Sequence, residues 1–191
     1  MGKYTVNFSC HSCGHCCTDV ICLPTPWDVV RIVKEVGADP KEFLEFVTPE
    51  EIQGVTKSDP TWLKVDDERY MMALRRGPMG CHFLNKRTKK CKIYESRPLL
   101  CRLYPFKVQE SRDGEYRGFT LHSDVGCPKH QDGVVETDQL YELYEDDSEH
   151  HETYDELVEA FNKKDYPDKE PQDFVKMFLT VKRKKKKKSA K

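Results

Sequence analysis

The sequence predicts an α+β protein, a small irregular domain organised around one or more thiolate metal centres, and three observations support this prediction. Four cysteines fall within eight residues, in the run Cys10-His11-Ser12-Cys13-Gly14-His15-Cys16-Cys17. Short apolar stretches bounded by turn residues indicate hairpins, and other stretches have the spacing of helices. A strongly acidic segment with sparse apolar residues indicates solvated helices after residue 136. We therefore expect short hairpins, a helical pair and an acidic helical C-terminal region.

The helical pair is predicted by two start signals that follow the cysteine run. Thr25-Pro26-Trp27-Asp28 places an N-cap residue before a proline at the first helical position, and an apolar stripe follows as far as Gly37. Asp39-Pro40 repeats the start signal, and the apolar residues between 43 and 47 continue it with helical spacing. The two segments together predict two consecutive helices.

Two hairpins are predicted further along the chain. After a Pro- and Gly-containing loop at 48–60, the stretches 62–65 and 70–74 flank Asp66-Asp67-Glu68. The stretches 106–110 and 116–121 flank Asp113-Gly114, a dipeptide typical of hairpin turns. Between the hairpins we expect loops and one short helix near 97–103, ordered by metal more than by a core.

The domain organisation follows from length and charge. At 191 residues the chain is long enough for one domain, since a domain takes about 100–200 residues. We expect a cysteine-cluster metal-binding domain at 1–130, an acidic helical extension at 131–181 and a disordered polybasic tail at 182–191. The tail holds eight basic side chains and no acidic one, so residues 1–181 hold 24 basic and 33 acidic side chains, a net charge of −9.

The charge distribution also predicts the kind of partner. A nucleic-acid surface is normally basic across one face, which an acidic body does not offer. The polybasic tail, Lys182 to Lys191, is the segment expected to contact RNA or another polyanion, and its plainer interpretation is a solubilising end. We expect an unidentified protein partner for the body.

The cellular compartment is predicted from the absence of targeting signals and from the cysteine count. The N-terminus has no apolar signal segment, and no stretch approaches the ~20 apolar residues that span a bilayer. We therefore expect a cytoplasmic protein without a membrane span. In that reducing compartment the nine cysteines are more readily explained as metal ligands than as disulfides.

The type of metal is predicted from cysteine spacing. Thiolates select zinc or iron–sulfur clusters, and the C-x-x-C-x-x-C run is close to ferredoxin spacing. A zinc ribbon would show a second C-x-x-C or a paired histidine motif, whereas the later cysteines stand alone. Adjacent Cys16 and Cys17 point in different directions, which leaves Cys17 for a second centre. Two tetrathiolate sites, one cube with one zinc, and one cube with spare thiols all remain open, with iron–sulfur favoured over zinc.

The cysteine motifs resemble a known family. Phe8-Ser9-Cys10-x-x-Cys13-Gly14-x-Cys16-Cys17, then Cys81-His82-Phe83-Leu84, then Cys91-Lys92-Ile93-Tyr94-Glu95-Ser96-Arg97-Pro98-x-x-Cys101-Arg102-x-Tyr104-Pro105-Phe106 resemble the C-x-x-C-x-x-C-C cysteine-cluster family, described as a zinc- or iron-chelating domain. The resemblance covers residues 8–130. It implies a metal or iron–sulfur centre held by Cys10, Cys13, Cys16, Cys17, Cys81, Cys91, Cys101 and Cys127, with Cys22 outside the pattern. We expect that centre to include a [4Fe–4S] cluster.

The same cysteine motif is similar to that of the flagellin lysine-N-methylases. This chain lacks their longer body, and no Gly-rich strand-to-helix loop is present to hold a nucleotide or S-adenosylmethionine. Methyl transfer is therefore the less favoured interpretation.

Two arginines flank one predicted ligand. Arg97 and Arg102 lie on either side of Cys101, where they would donate to cluster sulfurs or offset the negative charge of thiolates. The alternative is that they pair with Glu95 or Glu110 and only hold the loop.

The function predicted from these residues is metal binding, with an iron–sulfur cluster serving electron transfer, cluster delivery or assembly of a larger enzyme. One alternative is a zinc-stabilised interaction protein without redox chemistry. Another is a cluster-dependent redox or methyl-transfer enzyme, which would need an iron with an open position. No Ser-His-Asp set, P-loop or H-E-x-x-H motif appears, so no catalytic residue is nominated.

Overall fold

The computed structural model describes residues 5–113 and 115–180, which form six helices and nine short strands. The helices are α1 (His15–Asp19), α2 (Pro26–Val36), α3 (Pro40–Phe43), α4 (Leu99–Leu103), α5 (Thr137–Asn162) and α6 (Pro171–Thr180). The strands are β1 (Thr5–Asn7), β2 (Leu44–Val47), β3 (Leu63–Val65), β4 (Glu68–Leu74), β5 (Arg76–Gly77), β6 (Gly80–Cys81), β7 (Phe106–Glu110), β8 (Tyr116–Leu121) and β9 (Val134–Glu136). The predicted α+β class is confirmed.

The strands pair in antiparallel fashion and form four small sheets in the described part of the chain. The central sheet has the order β2-β4-β3, and the pairs β1-β9, β5-β6 and β7-β8 stand separately. Both predicted hairpins are confirmed, β3 with β4 and β7 with β8. The pairs β1-β9 and β5-β6 were not predicted, because strands of two or three residues are too short to show an alternating pattern.

The predicted helical pair is only half correct. Helix α2 begins and ends as expected: the Thr25 hydroxyl accepts a hydrogen bond from the Asp28 backbone N–H, and Gly37 closes the helix in the left-handed conformation. Helix α3 stops at Phe43, and Leu44–Val47 pairs with Met71–Leu74 of β4 instead. The prediction of a helix over 44–47 is wrong because a short apolar run fits either structure, and the neighbouring strand decides the outcome.

The main hydrophobic core lies between the central sheet and helices α2, α5 and α6. Its side chains include Ile32, Phe43, Phe161 and Phe174, each at most 1% exposed. Helices α5 and α6 thus place one face in the same core as the sheet, although the sequence predicted solvated helices here. The domain boundary at residue 130 stays a prediction, and the predicted disordered tail at 182–191 lies outside the described residues.

A buried carboxylate joins the core to the cysteine-bearing segment. Asp28, 1% exposed, accepts hydrogen bonds from the Arg31 guanidinium at 2.6 Å and from the Leu99 backbone N–H at 3.1 Å. Arg31 also donates to the Arg97 carbonyl at 2.6 Å. These contacts fix helix α4, which carries Cys101, against helix α2.

Within the described residues, no helix has both the length and the apolar character that are needed to cross a bilayer.

Candidate metal centre

The first four cysteines are arranged by a tight turn that leads into helix α1. Gly14 has a φ of 81°, and its carbonyl accepts hydrogen bonds from the N–H groups of Cys17 at 2.9 Å and Thr18 at 3.2 Å. A Cβ at Gly14 would lie 2.6 Å from the Lys89 carbonyl oxygen, so the turn needs glycine for its conformation and for its close packing. Cys10 and Cys13 are exposed in the loop before α1, and helix α1 holds Cys16 and Cys17 half-buried.

The other four predicted ligands come from separate short elements. Cys81 ends β6, Cys91 forms an isolated bridge with Leu84, Cys101 lies in α4 and Cys127 follows β8. A Cβ at Gly80 would lie 2.5 Å from the Cys17 carbonyl oxygen. This close approach presses β6, and with it Cys81, against helix α1.

The structure brings all eight predicted ligands to the walls of one cavity of about 60 Å³. The cysteines in its lining are Cys10, Cys13, Cys16, Cys17, Cys81, Cys91, Cys101 and Cys127. Within the described ranges, no group of three or more Cys, His, Asp or Glu side chains stands ready to hold a metal ion. The structure therefore shows a thiol-lined cavity, and the assignment of individual ligands stays a prediction.

Cys17 interacts with three of the other thiols, Cys16, Cys81 and Cys91. Hydrogen bonding with Cys17 lowers the pKa of Cys16 and of Cys91 to about 7, and the same contact lowers the pKa of Cys81. The reciprocal contacts with Cys16, Cys81 and Cys91 raise the pKa of Cys17. Cys17 therefore keeps its proton, which is available to one of these three neighbours at a time. We call this set of four the inner thiols.

The chemistry of the inner thiols fits a thiophilic metal. Four sulfur atoms gathered in one place cannot all become thiolates without a compensating positive charge, because each anion opposes the ionisation of the next. A bound cation removes that restriction and deprotonates coordinating thiols outright. Soft sulfur donors select zinc or iron–sulfur centres, and hard calcium or magnesium prefers oxygen.

Of the remaining thiols, Cys10 and Cys13 are exposed, and Cys101 and Cys127 are half-buried. Burial raises the pKa of Cys127, and the charges of Cys13, Cys10 and Cys16 raise it further. Burial raises the pKa of Tyr94, and a hydrogen bond with Cys10 raises it further. Cys16, itself one of the inner thiols, therefore also neighbours Cys127.

Cys22 has a position that sequence reasoning missed. It is buried, and its sulfur lies 3.3 Å from the sulfur of Cys101. The contact with Cys101, together with burial, raises the pKa of Cys22. Cys22 stays outside the cavity lining, as the motif predicted, and its sulfur contacts that of Cys101 on the side away from the cavity lining. A contact between residues 79 positions apart leaves no local signal in the sequence.

Of the two arginines predicted beside the centre, the structure places one at the cavity. Arg97 is in the lining, and its guanidinium lies 3.7 Å from the centre of the Tyr94 ring. Its charge adds to the effect of Cys17 in lowering the pKa values of Cys16 and Cys91. Arg102 is not among the lining residues, and its role stays a prediction.

A third arginine holds the helix that carries two of the inner thiols. Arg76 donates to the carbonyl of Cys17 at 3.3 Å and to those of Thr18 and Val20. Carbonyls at the end of a helix lack partners within it, and Arg76 supplies one. No spacing pattern in the sequence singles out this residue.

The family of the chain is shown by comparison with known proteins. The model of the CxxCxxCC family, described as "Putative zinc- or iron-chelating domain", matches residues 9–128. The chain belongs to this family. The resemblance based on the cysteine motifs is thereby confirmed, and the family description supports the prediction of a metal-binding protein. Zinc and iron are both within that description.

One relative of this CxxCxxCC protein is named "Uncharacterized protein MJ0661" and comes from Methanocaldococcus jannaschii. The two are 31% identical over 120 residues, which are 63% of this chain and 54% of the relative. The chain therefore matches about half the length of that protein. No solved structure matches the chain.

Proposed function

We propose that this CxxCxxCC protein holds an iron–sulfur cluster, with [4Fe–4S] favoured, and serves electron transfer, cluster delivery or assembly of a larger enzyme. The observation that carries the proposal is the convergence of eight thiols, from five stretches of the chain, on one cavity. A reducing compartment such as the cytoplasm would keep these thiols free of disulfides.

The size of the cavity supports an inorganic occupant. Its volume is about 60 Å³, whereas sites for organic ligands and cofactors measure about 300–1,000 Å³. S-adenosylmethionine or a nucleotide would not fit beside the thiols. A methyl-transfer function thus receives no support from this cavity.

The surrounding residues indicate how the chain would treat a bound cluster. A cluster supplies one-electron chemistry, and its potential depends on net charge, hydrogen bonds and solvent exposure. Arg97 offsets negative charge at Cys16 and Cys91. Tyr94 and Tyr104 form part of the wall, and burial raises the pKa of Tyr104 to about 12, so this phenol stays neutral. These side chains would limit water at the thiols.

A zinc-stabilised interaction protein is the second candidate, and the inner thiols favour it. Cys17 contacts three other cysteines, and four thiolates around one ion form the usual structural zinc site. In this case the metal would fix α1 against β6 and the Cys91 loop, and the protein would act through its surface.

The test is an oxygen-free purification followed by iron, sulfide and zinc analysis and by visible spectra before and after dithionite. A brown protein with matched iron and sulfide, bleached on reduction, supports the cluster. A colourless protein with stoichiometric zinc and no sulfide contradicts it and supports the zinc candidate. The variant Cys17→Ala is expected to lose the metal. Cys22→Ala, which changes a thiol outside the lining, is the matched control and is expected to keep it.

A further inference from the structure

A cluster of exposed cations surrounds the predicted ligand Cys91 in the sequence. Residues 86–92, named here the basic loop, contain Lys86, Arg87, Lys89, Lys90 and Lys92, all exposed, and no acidic residue. Within residues 5–113 and 115–180, none of these five forms a salt bridge. Their positive charge is therefore available to a partner.

The basic loop is held in a defined conformation. The Asn85 side-chain oxygen accepts hydrogen bonds from the N–H groups of Arg87 at 3.0 Å and Thr88 at 3.1 Å. The Asn85 carbonyl accepts from Lys89 at 2.8 Å, and the bridge between Leu84 and Cys91 closes the base of the loop. A partner would pay little backbone entropy to order these cations on binding.

The charge of the basic loop contrasts with the rest of the chain. When its five cations are set aside, residues 1–181 hold 19 basic and 33 acidic side chains. A concentrated positive patch on an acidic body orients an approaching acidic partner and repels its approach elsewhere.

The basic loop also touches the cysteine turn. The backbone of Lys89 packs against Gly14 so closely that a Cβ there would meet the Lys89 carbonyl at 2.6 Å. Cys91, which lines the cavity, lies within the loop itself. A protein bound to the loop would therefore stand beside the thiol-lined cavity.

We propose that the basic loop is the docking surface for an acidic redox protein that gives one electron to, or takes one electron from, the cluster proposed for the thiol-lined cavity. In either direction, one of the two centres is oxidised as the other is reduced. What is exchanged rests on the proposed function, whereas the docking itself does not. The complex is expected to be transient and salt-sensitive, as exposed charge pairs are screened over about 8–10 Å at physiological ionic strength.

Charge geometry favours an acidic protein over a nucleic acid. Duplex DNA carries one charge per about 1.7 Å and extends well beyond a seven-residue loop. Its flanking phosphates would extend over a chain that is net acidic apart from this loop and the polybasic tail. Residues 86–92 also contain no aromatic side chain on which a base could stack. A compact acidic patch on a protein avoids both problems.

The test is carbodiimide cross-linking of the full-length, metal-loaded protein to a poly-L-glutamate peptide, with cross-linked lysines located by mass spectrometry. Mapping separates the basic loop from the polybasic tail, which is also expected to bind this probe. Cross-links at Lys86, Lys89, Lys90 or Lys92 support the proposal. Cross-links confined to residues 182–191 overturn it.

Matched variants sharpen the test. The triple variant K86Q/R87Q/K90Q keeps Lys89 and Lys92 as reactive lysines and is expected to lose most of the cross-links at these two positions, while cross-links in residues 182–191 are kept. Three cations are changed together because each exposed pair contributes little alone. The control K34Q/K41Q/K107Q removes three exposed cations elsewhere and is expected to bind as the parent does. Equal losses in both variants would overturn the proposal.

Two further outcomes would also overturn it. One is tighter loop-dependent binding of an oligothymidylate of equal charge, and the other is loop-dependent self-association in sedimentation velocity. Metal analysis of every variant separates docking from the metal site. If the protein proves to hold zinc, loop-specific cross-links still establish docking, while the electron-exchange part fails with the proposed function.

Discussion

The core and the cysteine-bearing region of this protein are held together in different ways. Around the central sheet, large side chains such as Phe43 and Phe174 are fully buried. Around the cavity, Cys10 and Cys13 are exposed, and helix α1 contains no buried residue. Apolar burial accounts for the first region and extends, through Phe83 and Ile93, to the segments that carry Cys81 and Cys91. The cysteine turn and helix α1 have no such burial and need another source of stability.

Metal binding is the natural source for the cysteine-bearing region. Helices α1 and α4 have five residues each, whereas isolated helices shorter than about 12–15 residues are marginal in water. A structural tetrathiolate site contributes an apparent ~10–16 kcal/mol. We expect that contribution to fall mainly on the segments that supply the thiols.

The largest effect should follow removal of the metal. Chelation under reducing conditions is expected to raise amide hydrogen exchange in α1 and in the preceding loop by orders of magnitude. Strand β4 and helix α6 should stay protected because apolar burial holds them. Hydrogen exchange measured by mass spectrometry on treated and mock-treated protein checks this difference. Equal loss of protection in both regions would show that the core also depends on metal.

A core truncation should have the converse effect. Phe174 is 0% exposed, so Phe174→Ala should lower the free energy of unfolding by about 3–5 kcal/mol. Metal content per folded molecule should be unchanged. Denaturant unfolding with metal analysis provides both values, and Leu179→Ala, at an exposed position on the same helix, should be nearly neutral. Loss of metal in folded Phe174→Ala protein would argue against separate stabilisation.

Asp28, which joins the core to the cysteine-bearing region, should affect both the free energy of unfolding and metal binding. Asp28→Asn removes the charge that Arg31 and the Leu99 N–H contact, and we expect a cost of about 2 kcal/mol for a poorly satisfied buried group. Metal affinity should fall as well, because α4 carries Cys101. Asp39→Asn, at the exposed cap of α3, is the control. Unchanged metal affinity in Asp28→Asn would show that α4 does not need this tether.

The inner thiols should react differently from Cys22 once the metal is removed. Hydrogen bonding with Cys17 lowers the pKa of Cys91 to about 7. Its thiolate fraction, and its alkylation by iodoacetamide, should therefore rise with pH through that value. At neutral pH we expect Cys91 to react at least about tenfold faster than buried Cys22, whose pKa is raised.

Mass spectrometry over a pH series gives the alkylation rates of Cys91 and Cys22. In Cys17→Ala, the midpoint for Cys91 should move up toward the ordinary value of about 8.5. An unchanged midpoint in that variant would contradict the assigned role of Cys17.

The smallest effect is expected at the end of α2. Gly37 has a φ of 73° with open space around it, so Gly37→Ala meets backbone strain without a clash. The expected cost is about 1 kcal/mol, and Gly37→Asn should cost less, since Asn tolerates this conformation better. Thermal unfolding compares the two. A larger loss with Asn than with Ala would indicate a steric cause.

Sequence reasoning succeeded where local chemistry determines the structure. The cap at Thr25, the stop at Gly37 and the two hairpins are encoded within a few residues, and all were found. The eight cysteines of the motif line one cavity, and their role as metal ligands stays a prediction.

Features that depend on distant contacts were missed. Leu44–Val47 is a strand because β4 lies beside it. Arg76 matters because α1 ends against it, and Cys22 matters because α4 brings Cys101 to it. None of these partners is near in sequence, and no spacing rule connects them.

The central claim is that the thiol-lined cavity holds an iron–sulfur cluster, and X-ray absorption at the iron and zinc edges tests it most directly. For protein purified without oxygen, we predict iron surrounded by sulfur with a resolved iron–iron distance, lost in Cys17→Ala and kept in Cys22→Ala. Zinc alone, bound by four sulfurs at about 2.3 Å, or iron without a neighbouring iron, would contradict the claim.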